Sequence, residues 1–120
     1  MISWAQNLED VMLARAFHDR AQGFYVDVGA FDPDSDSVTR HFYDRGWRGI
    51  NIDPVPAQIE RFHAARPRDI NLGVALGECA GSLQFFDFSP AGLSTLDADV
   101  ARDIRARGFT AREIDVPVMR

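Results

Sequence analysis

The chain has 120 residues, 46% apolar and 26% charged, with a net charge of −5, the balance of a single ordinary globular domain. Acidic and basic residues are interspersed, so no basic stripe invites nucleic acid and no polybasic run invites an anionic membrane. No stretch is long enough to span a bilayer, no basic n-region opens onto an apolar run, and the single Cys79 can form neither an internal disulfide nor a cysteine metal site; together these favour the cytoplasm.

Asn7 is placed to cap a helix from Leu8 to about Arg20, with Asp10 as a weak capping-box partner. Leu8, Val11, Met12 and Phe17 form its apolar stripe. Gln22-Gly23 ends it. Phe24 to Val28 is short, aromatic and β-branched, and reads as a buried strand. Gly29 closes that strand, where the lack of a Cβ allows a sharp turn and the close approach of a ligand. Strand, glycine turn and helix open a Rossmann-like α/β unit, and ligands of such units sit at the turn.

The residues of the turn narrow the ligand. A dinucleotide fingerprint needs three glycines whose neighbouring N–H groups cradle a pyrophosphate. Here only Gly29 is present, and Pro33 has no N–H to give. Asp27, Asp32, Asp34 and Asp36 crowd the same stretch and would repel a pyrophosphate. They suit a cationic, phosphate-free ligand, which describes S-adenosylmethionine. A second carboxylate is then expected at the end of the next strand, about 20 residues on, to hold the ribose hydroxyls. Asp53, after Ile50-Asn51-Ile52, stands close to that spacing.

After the turn, Asp36 is the expected N-cap of a helix from Ser37 to about Arg45, with Val38 and Phe42 inward and Gly46 as its stop. The Asp32, Asp34, Asp36 spacing resembles a calcium loop, but Ser37 and Tyr43 stand where an EF-hand needs glycine and glutamate; no metal site is expected. His41 on this helix reads as a packing or surface residue rather than a base. Gly49 to Ile52 forms the second strand. Pro54 and Pro56 open a helix to about Ala65, with Ile59 and Phe62 inward, His63 outside and Pro67 closing it. Asp53 could also cap that helix, but its position at the end of the second strand favours the ribose role. Asp69 to Leu76 contains the third strand. Gly77 to Gly81 turns the chain back into an antiparallel strand, Leu83 to Phe88, and Ser89-Pro90-Ala91-Gly92 is a loop. Ser94 and Thr95 precede a helix from Asp97 to Arg107, with Leu96, Val100 and Ile104 as its apolar row and Gly108 as its stop. Thr110 to Met119 is a final strand, which Pro117 marks as an edge.

Several stretches resemble the FkbM family of S-adenosylmethionine-dependent methyltransferases. They are Val26-Asp27-Val28-Gly29-Ala30, Asp36-Ser37-Val38-Thr39, and the run from Phe42 through Asp44-Arg45-Gly46-Trp47-Arg48-Gly49 to Asp53-Pro54. Ser3-Trp4-Ala5-Gln6-Asn7-Leu8-Glu9-Asp10 resembles the family's N-terminal motif and Gly92-Leu93-Ser94-Thr95-Leu96 a later one. The resemblance implies a class I methyltransferase fold with the cofactor across the ends of the first three strands. Asp27, Gly29, Ala30 and Asp32 would then frame its methionine end, Asp53 its ribose, and Ala75 and Leu76 its adenine. Gln6, Asn7, Glu9 and Asp10 would lie near the cofactor. The implied acceptor is a hydroxyl on a sugar or natural product.

Two departures stand out: Phe31 replaces the family's usual asparagine after the Gly-Ala pair, and Asp53 its commoner glutamate. The sequence names no catalytic base and no oligomeric state. It offers three parallel strands and two antiparallel ones, fewer than a full sheet of this class, so a partial, truncated methyltransferase domain over 1–120 is expected. Two rivals accompany this reading: a catalytically inactive cofactor-binding fragment, and a nicotinamide oxidoreductase, which the acidic, glycine-poor turn disfavours.

Overall fold

The structure, a computed structural model, describes residues 1–88 and 93–120. The chain folds as two compact units, Met1–Leu72 and Gly73–Arg120. The expected loop Ser89-Pro90-Ala91-Gly92, with the Gly92 of the later motif, lies outside the described residues.

The first unit is a parallel three-stranded sheet in the order β1 (Phe24–Val28), β2 (Arg48–Ile52), β3 (Ile70–Leu72). Phe24 lies opposite Arg48 and Val28 opposite Ile52; Ile50 lies opposite Ile70 and Ile52 opposite Leu72. Three helices accompany it: α1 (Glu9–Ala16), α2 (Arg40–Asp44) and α3 (Pro56–Ala65). The crossovers through α2 and α3 are what parallel neighbours require.

Alternation along the strands sorts the side chains into two faces. Tyr25, Asp27, Gly49, Asn51 and Asn71 share one face, and it is polar and covered. Phe24, Val26 and Val28 share the other and are 60%, 58% and 59% exposed. β1 is thus half-exposed rather than buried on both sides. The elements that bond to it, through Thr39 and Arg66, all lie on the Tyr25 and Asp27 side.

A buried charge fills that covered face. Arg66, the C-cap of α3, is 2% exposed. Its Nη1 donates to Tyr25 Oη and Thr39 Oγ1, both at 3.1 Å. Its Nη2 donates to the Pro33 carbonyl at 2.8 Å and Ser37 Oγ at 3.2 Å. Asp69 supplies the countercharge at 3.7 Å, and takes hydrogen bonds from Gly49 N (2.9 Å), Asn51 Nδ2 (2.9 Å) and the Tyr25 hydroxyl. Burial, and then the bond to Asp69, push the Tyr25 phenol well above its ordinary pKa. The apolar core beside this network is Ala30, Ile59 and Phe62.

Local capping departs from expectation at the N-terminus. Asn7 does not cap α1; Leu8 is the N-cap, at φ +62° and without a side-chain bond. Asp10 is buried and turned back on the preceding chain, accepting from Ser3 Oγ (2.6 Å), Trp4 N (2.8 Å) and Val11 N (2.9 Å). Burial alone would raise its pKa, but these donors outweigh it and hold the carboxyl below the ordinary range. The stripe of Leu8, Met12 and Phe17 is exposed, and α1 ends at Ala16 rather than near Arg20. Asp36 does not cap α2 either: it sits at φ +54°, and Ser37 Oγ takes the Arg40 N–H at 3.1 Å. Gly46, at φ +95°, follows the α2 C-cap as expected. Ile59 and Phe62 point inward from α3, and His63 is exposed.

The second unit is a sheet in the order β4 (Ala75–Leu76), β6 (Ala111–Met119), β5 (Gly81–Phe88), with α4 (Ala98–Ala106) between β5 and β6 in sequence. The third parallel strand of the first sheet therefore ends at Leu72. Ala75 and Leu76 form a separate strand parallel to β6. β5 and β6 pair antiparallel, with Gly81 opposite Val118 and Phe88 opposite Ala111. β6 is central, which corrects the edge position read from Pro117. The proline is tolerated because β4 reaches only Val118 and Met119, leaving β6 with one neighbour at Pro117. Asp97 caps α4 through Asp99 N and Val100 N. The expected hydroxyls act elsewhere: Thr95 Oγ1 takes the Asp97 N–H, and Ser94 Oγ takes the Phe88 N–H. Val100 is exposed, and Ala101 with Ile104 makes the inward contacts to Phe86 and Phe88.

Gly49 is fixed by this packing. A Cβ there would lie 2.1 Å from the Tyr25 ring and 2.4 Å from the Tyr25 carbonyl oxygen, and the backbone contact has no rotamer to relieve it. Gly49→Ala is expected to lower the unfolding free energy by about 3 kcal/mol, measured by urea denaturation; a loss under about 0.5 kcal/mol would show that β1 and β2 are free to shift apart.

Candidate functional site

The chain leaves β1 through Gly29 at φ +71°, a left-handed conformation that glycine adopts without strain. A Cβ on Gly29 would meet no atom within 4 Å, so the turn is open where a ligand would approach. Its donors, however, face inward. Gly29 N and Ala30 N both donate to the Ile52 carbonyl, at 2.8 and 3.0 Å. Phe31 N donates to Asp53 Oδ2 at 2.9 Å. A phosphate-binding turn directs such N–H groups outward. Three successive donors here are used within the fold, which fits a phosphate-free adenosyl ligand and not a pyrophosphate.

Asp53 stands at the end of β2 beside this turn and is buried. Its Oδ1 takes the N–H of Val55, the N-cap of α3, at 3.0 Å, while Oδ2 takes that of Phe31. The carboxylate therefore ties the turn to the start of α3.

Asp27 lies one pleat before the turn on the covered face. Thr39 Oγ1 donates to it at 3.4 Å. Burial raises its pKa; Thr39 and the Arg66 charge pull it back, the Asp53 charge adds to the rise, and the net shift is upward. Asp32 is different. Its Oδ1 takes the Asp34 and Ser35 N–H groups at 2.8 and 2.9 Å, and its Oδ2 pairs with Arg61 at 3.1 Å. Burial works to raise its pKa, but these partners outweigh it and hold the carboxyl below the ordinary range. Much of its field is thereby neutralised. Ala30 contributes its methyl group to the core with Ile59 and Phe62.

Asp27, Gly29, Ala30, Asp32 and Asp53 thus come together around one turn of the first unit. Ala75 and Leu76 belong to the second: Ala75 is buried against Val116 and Val118, and Leu76 is exposed. Gln6 and Asn7 are exposed and Glu9 half-buried; Asn7 N donates to Glu9 at 2.9 Å. His41 packs edge-on against Phe42, and its Nε2 is buried without a partner. Sequence reasoning missed Arg66, Tyr25, Thr39, Ser37 and Asp69, which together hold the loop after the turn.

The Methyltransferase FkbM domain model matches residues 27–120. The chain belongs to the FkbM methyltransferase family. Members of this family use S-adenosylmethionine, so the chain is a domain of an S-adenosylmethionine-dependent methyltransferase acting on some acceptor. No curated protein and no solved structure matches it. Among the described residues no helix is long and apolar enough to cross a membrane.

Phe31 sits at φ +64°, a conformation that costs an L-residue roughly 1–2 kcal/mol and that asparagine tolerates best after glycine. The family's usual asparagine thus matches the backbone better than phenylalanine does. Phe31→Asn is expected to raise the unfolding free energy by about 1 kcal/mol, measured in urea; a loss would mean that the Phe31 ring contributes more packing than its backbone costs.

Asp27 supplies a pH-dependent prediction. Its folded pKa lies above its unfolded value, so its ionisation disfavours the fold at neutral pH, and this cost disappears once the pH falls below the unfolded value. Asp27→Asn should therefore be more stable than the parent at pH 7, and its advantage should vanish below about pH 4. Thermal melts across pH 3–8 check this; an advantage that grows on acidification would reverse the assignment.

Proposed function

We propose that this domain methylates a hydroxyl group on a sugar or small natural product, as part of a class I Rossmann-like methyltransferase of which β1–β3 are the first parallel strands. The acceptor is a small molecule or glycan rather than nucleic acid or a membrane, in keeping with the mixed-sign, net acidic surface, and the setting is the cytoplasm. Family membership supports the reaction. The observation that carries the site assignment is the turn: Gly29 is open to a ligand, its neighbouring N–H groups are all engaged, and carboxylates flank it.

In this reading Gly29 gives access to the cofactor and Ala30 seats the turn on the core. Asp27 is the main source of negative field for the cationic methionine end, with Asp32 secondary because Arg61 shares its charge. Asp53 takes the ribose hydroxyls. The bound cofactor supplies an electrophilic methyl group on a cationic sulfur. The protein's contribution is to hold sulfur, methyl and acceptor oxygen in line, and a hydroxyl acceptor must also lose its proton.

The bare Phe24, Val26 and Val28 face favours one second reading, in which the domain binds cofactor weakly and transfers no methyl group. Calorimetric titration of S-adenosylmethionine and S-adenosylhomocysteine addresses both readings. One-to-one binding is expected, weakened about tenfold in Asp27→Asn, the equivalent of about 1.4 kcal/mol. That variant is chosen because it should fold at least as well as the parent, whereas Asp53 also braces backbone. A folded sample that takes up neither ligand would sink the site assignment. Binding without turnover against a panel of hydroxylated acceptors would select the second reading.

A further inference from the structure

Thr39 is the N-cap of α2, and a threonine in that place ordinarily turns its hydroxyl to the first N–H groups of the helix. Here the Thr39 side chain makes no capping bond, and Ser37 Oγ takes the Arg40 N–H instead, at 3.1 Å. Thr39 is nonetheless buried, and a buried hydroxyl needs partners inside the fold. Those partners are Arg66 and Asp27: Thr39 Oγ1 lies 3.1 Å from Arg66 Nη1 and 3.4 Å from Asp27 Oδ2.

The two neighbours fix which way the hydroxyl proton points. A guanidinium has donors only, so Thr39 Oγ1 accepts from Arg66 and its own proton is left for Asp27. Tyr25, the other partner of that Nη1, is oriented in the same way and donates to Asp69. Asp27 is half-buried, and among the described residues Thr39 supplies its only hydrogen bond. The charged groups facing it are Arg66 from the end of α3 and Asp53 from the end of β2. Arg66 favours the carboxylate form and Asp53 opposes it, so the Thr39 donor acts on the side of Arg66. Hydrogen bonds in a binding site are often long in the free protein and tighten when the ligand arrives.

We propose that Thr39 is a positioning residue for the methyl donor: its hydroxyl, oriented by Arg66, holds Asp27 Oδ2 and keeps Oδ1 for the cationic methionine end. The inference rests on the assignment of Asp27 to the cofactor site. Thr39 acts through Asp27 and touches no reacting atom. Because a donated hydrogen bond favours the ionised carboxyl, losing the hydroxyl raises the Asp27 pKa. A cofactor that needs the carboxylate then begins to lose affinity at a higher pH as the solution is acidified.

The test is calorimetric titration of S-adenosylmethionine across a pH series, with the Asp27 carboxyl carbon followed by NMR over the same series. Thr39→Val keeps the shape of the side chain and removes the hydroxyl, and since that hydroxyl does not cap α2 the helix start is left intact. It should bind about threefold more weakly at neutral pH. Its carboxyl titration and the fall of its affinity on acidification should both move to higher pH. Thr39→Ser should restore both. In an Asp27→Asn background Thr39→Val should weaken binding no further, which separates action through Asp27 from a general loosening around Arg66. In the unsubstituted protein, where folding is not in question, the Thr39 hydroxyl proton should be visible by NMR and should shift with the Asp27 titration. The proposal is overturned if Thr39→Val binds as the parent does at every pH, if serine fails to rescue, if the two substitutions weaken binding additively, or if the hydroxyl proton ignores the titration. A folded parent that takes up no S-adenosylmethionine sinks the cofactor assignment itself, and the proposal with it, whatever the carboxyl titration shows.

Discussion

The first unit depends on one buried guanidinium. Moving an ion of that size out of water costs several kcal/mol even after relaxation, and Arg66 offsets this with four hydrogen bonds and the Asp69 charge. Its partners come from β1, from the loop after the glycine turn, from the N-cap of α2 and from the residue preceding β3. Without it, the Asp69 carboxylate, whose side chain is fully buried, would stand without its countercharge, and the Pro33 carbonyl would lose its donor. The loop that frames the turn is therefore held by a charged tie to the sheet, because its own residues are too polar to be held by burial.

The same constraint changes how the acidic residues are counted. In the sequence, four aspartates crowd the turn as one acidic group. In the structure they do different things. Asp32 knits its own loop and pairs with Arg61, Asp34 pairs with Arg40 at 3.1 Å, and Asp36 occupies a left-handed backbone position. Asp53 bridges two backbone N–H groups. Asp27 is the one with only a long hydroxyl hydrogen bond, and burial raises its pKa. Asp27 thus stands apart from Asp32, Asp34 and Asp53, whose partners offset the charge of so acidic a segment.

Much of this architecture was legible in the sequence. Aromatic and β-branched runs ending at Gly29 and Asp53 located β1, β2 and the turn between them, and Gly46 marked its helix end by its backbone preference. Pairing was less legible. Ala75 and Leu76 continue the apolar run of β3, and nothing in their composition says that Gly73 breaks it. Pro117 argued for an edge because the length of β4 cannot be read from the residues that form it. Capping failed where tertiary contacts intervened: Asp10 had the spacing of a cap but is consumed by Ser3 and Trp4. Arg66 was missed for a different reason. Arginine is almost never fully buried, and its partners lie far apart in the chain. A signal did exist, since Tyr25-Val26-Asp27, Ile50-Asn51-Ile52 and Ile70-Asn71-Leu72 alternate polar and apolar residues, a pattern foreign to a strand apolar on both sides. Read together, the three runs imply one polar sheet face that something charged must cover.

That polar face joins the two ends of β1. Tyr25 stands near the start of the strand and Asp27 beside the turn at its end; Tyr25 and Thr39 both bond to Arg66, and Thr39 donates onward to Asp27. A continuous line of hydrogen bonds is a physical route but not a coupling, which needs an element with two arrangements that both sites bias. A guanidinium held on five sides in a buried pocket has little freedom to adopt a second one, since each displaced bond would leave a polar group without water to replace it. The network is better suited to fixing both ends of the strand than to carrying a signal between them. Both ends of β1 are then fixed by one guanidinium, because Tyr25 and Thr39 share its Nη1 as their donor.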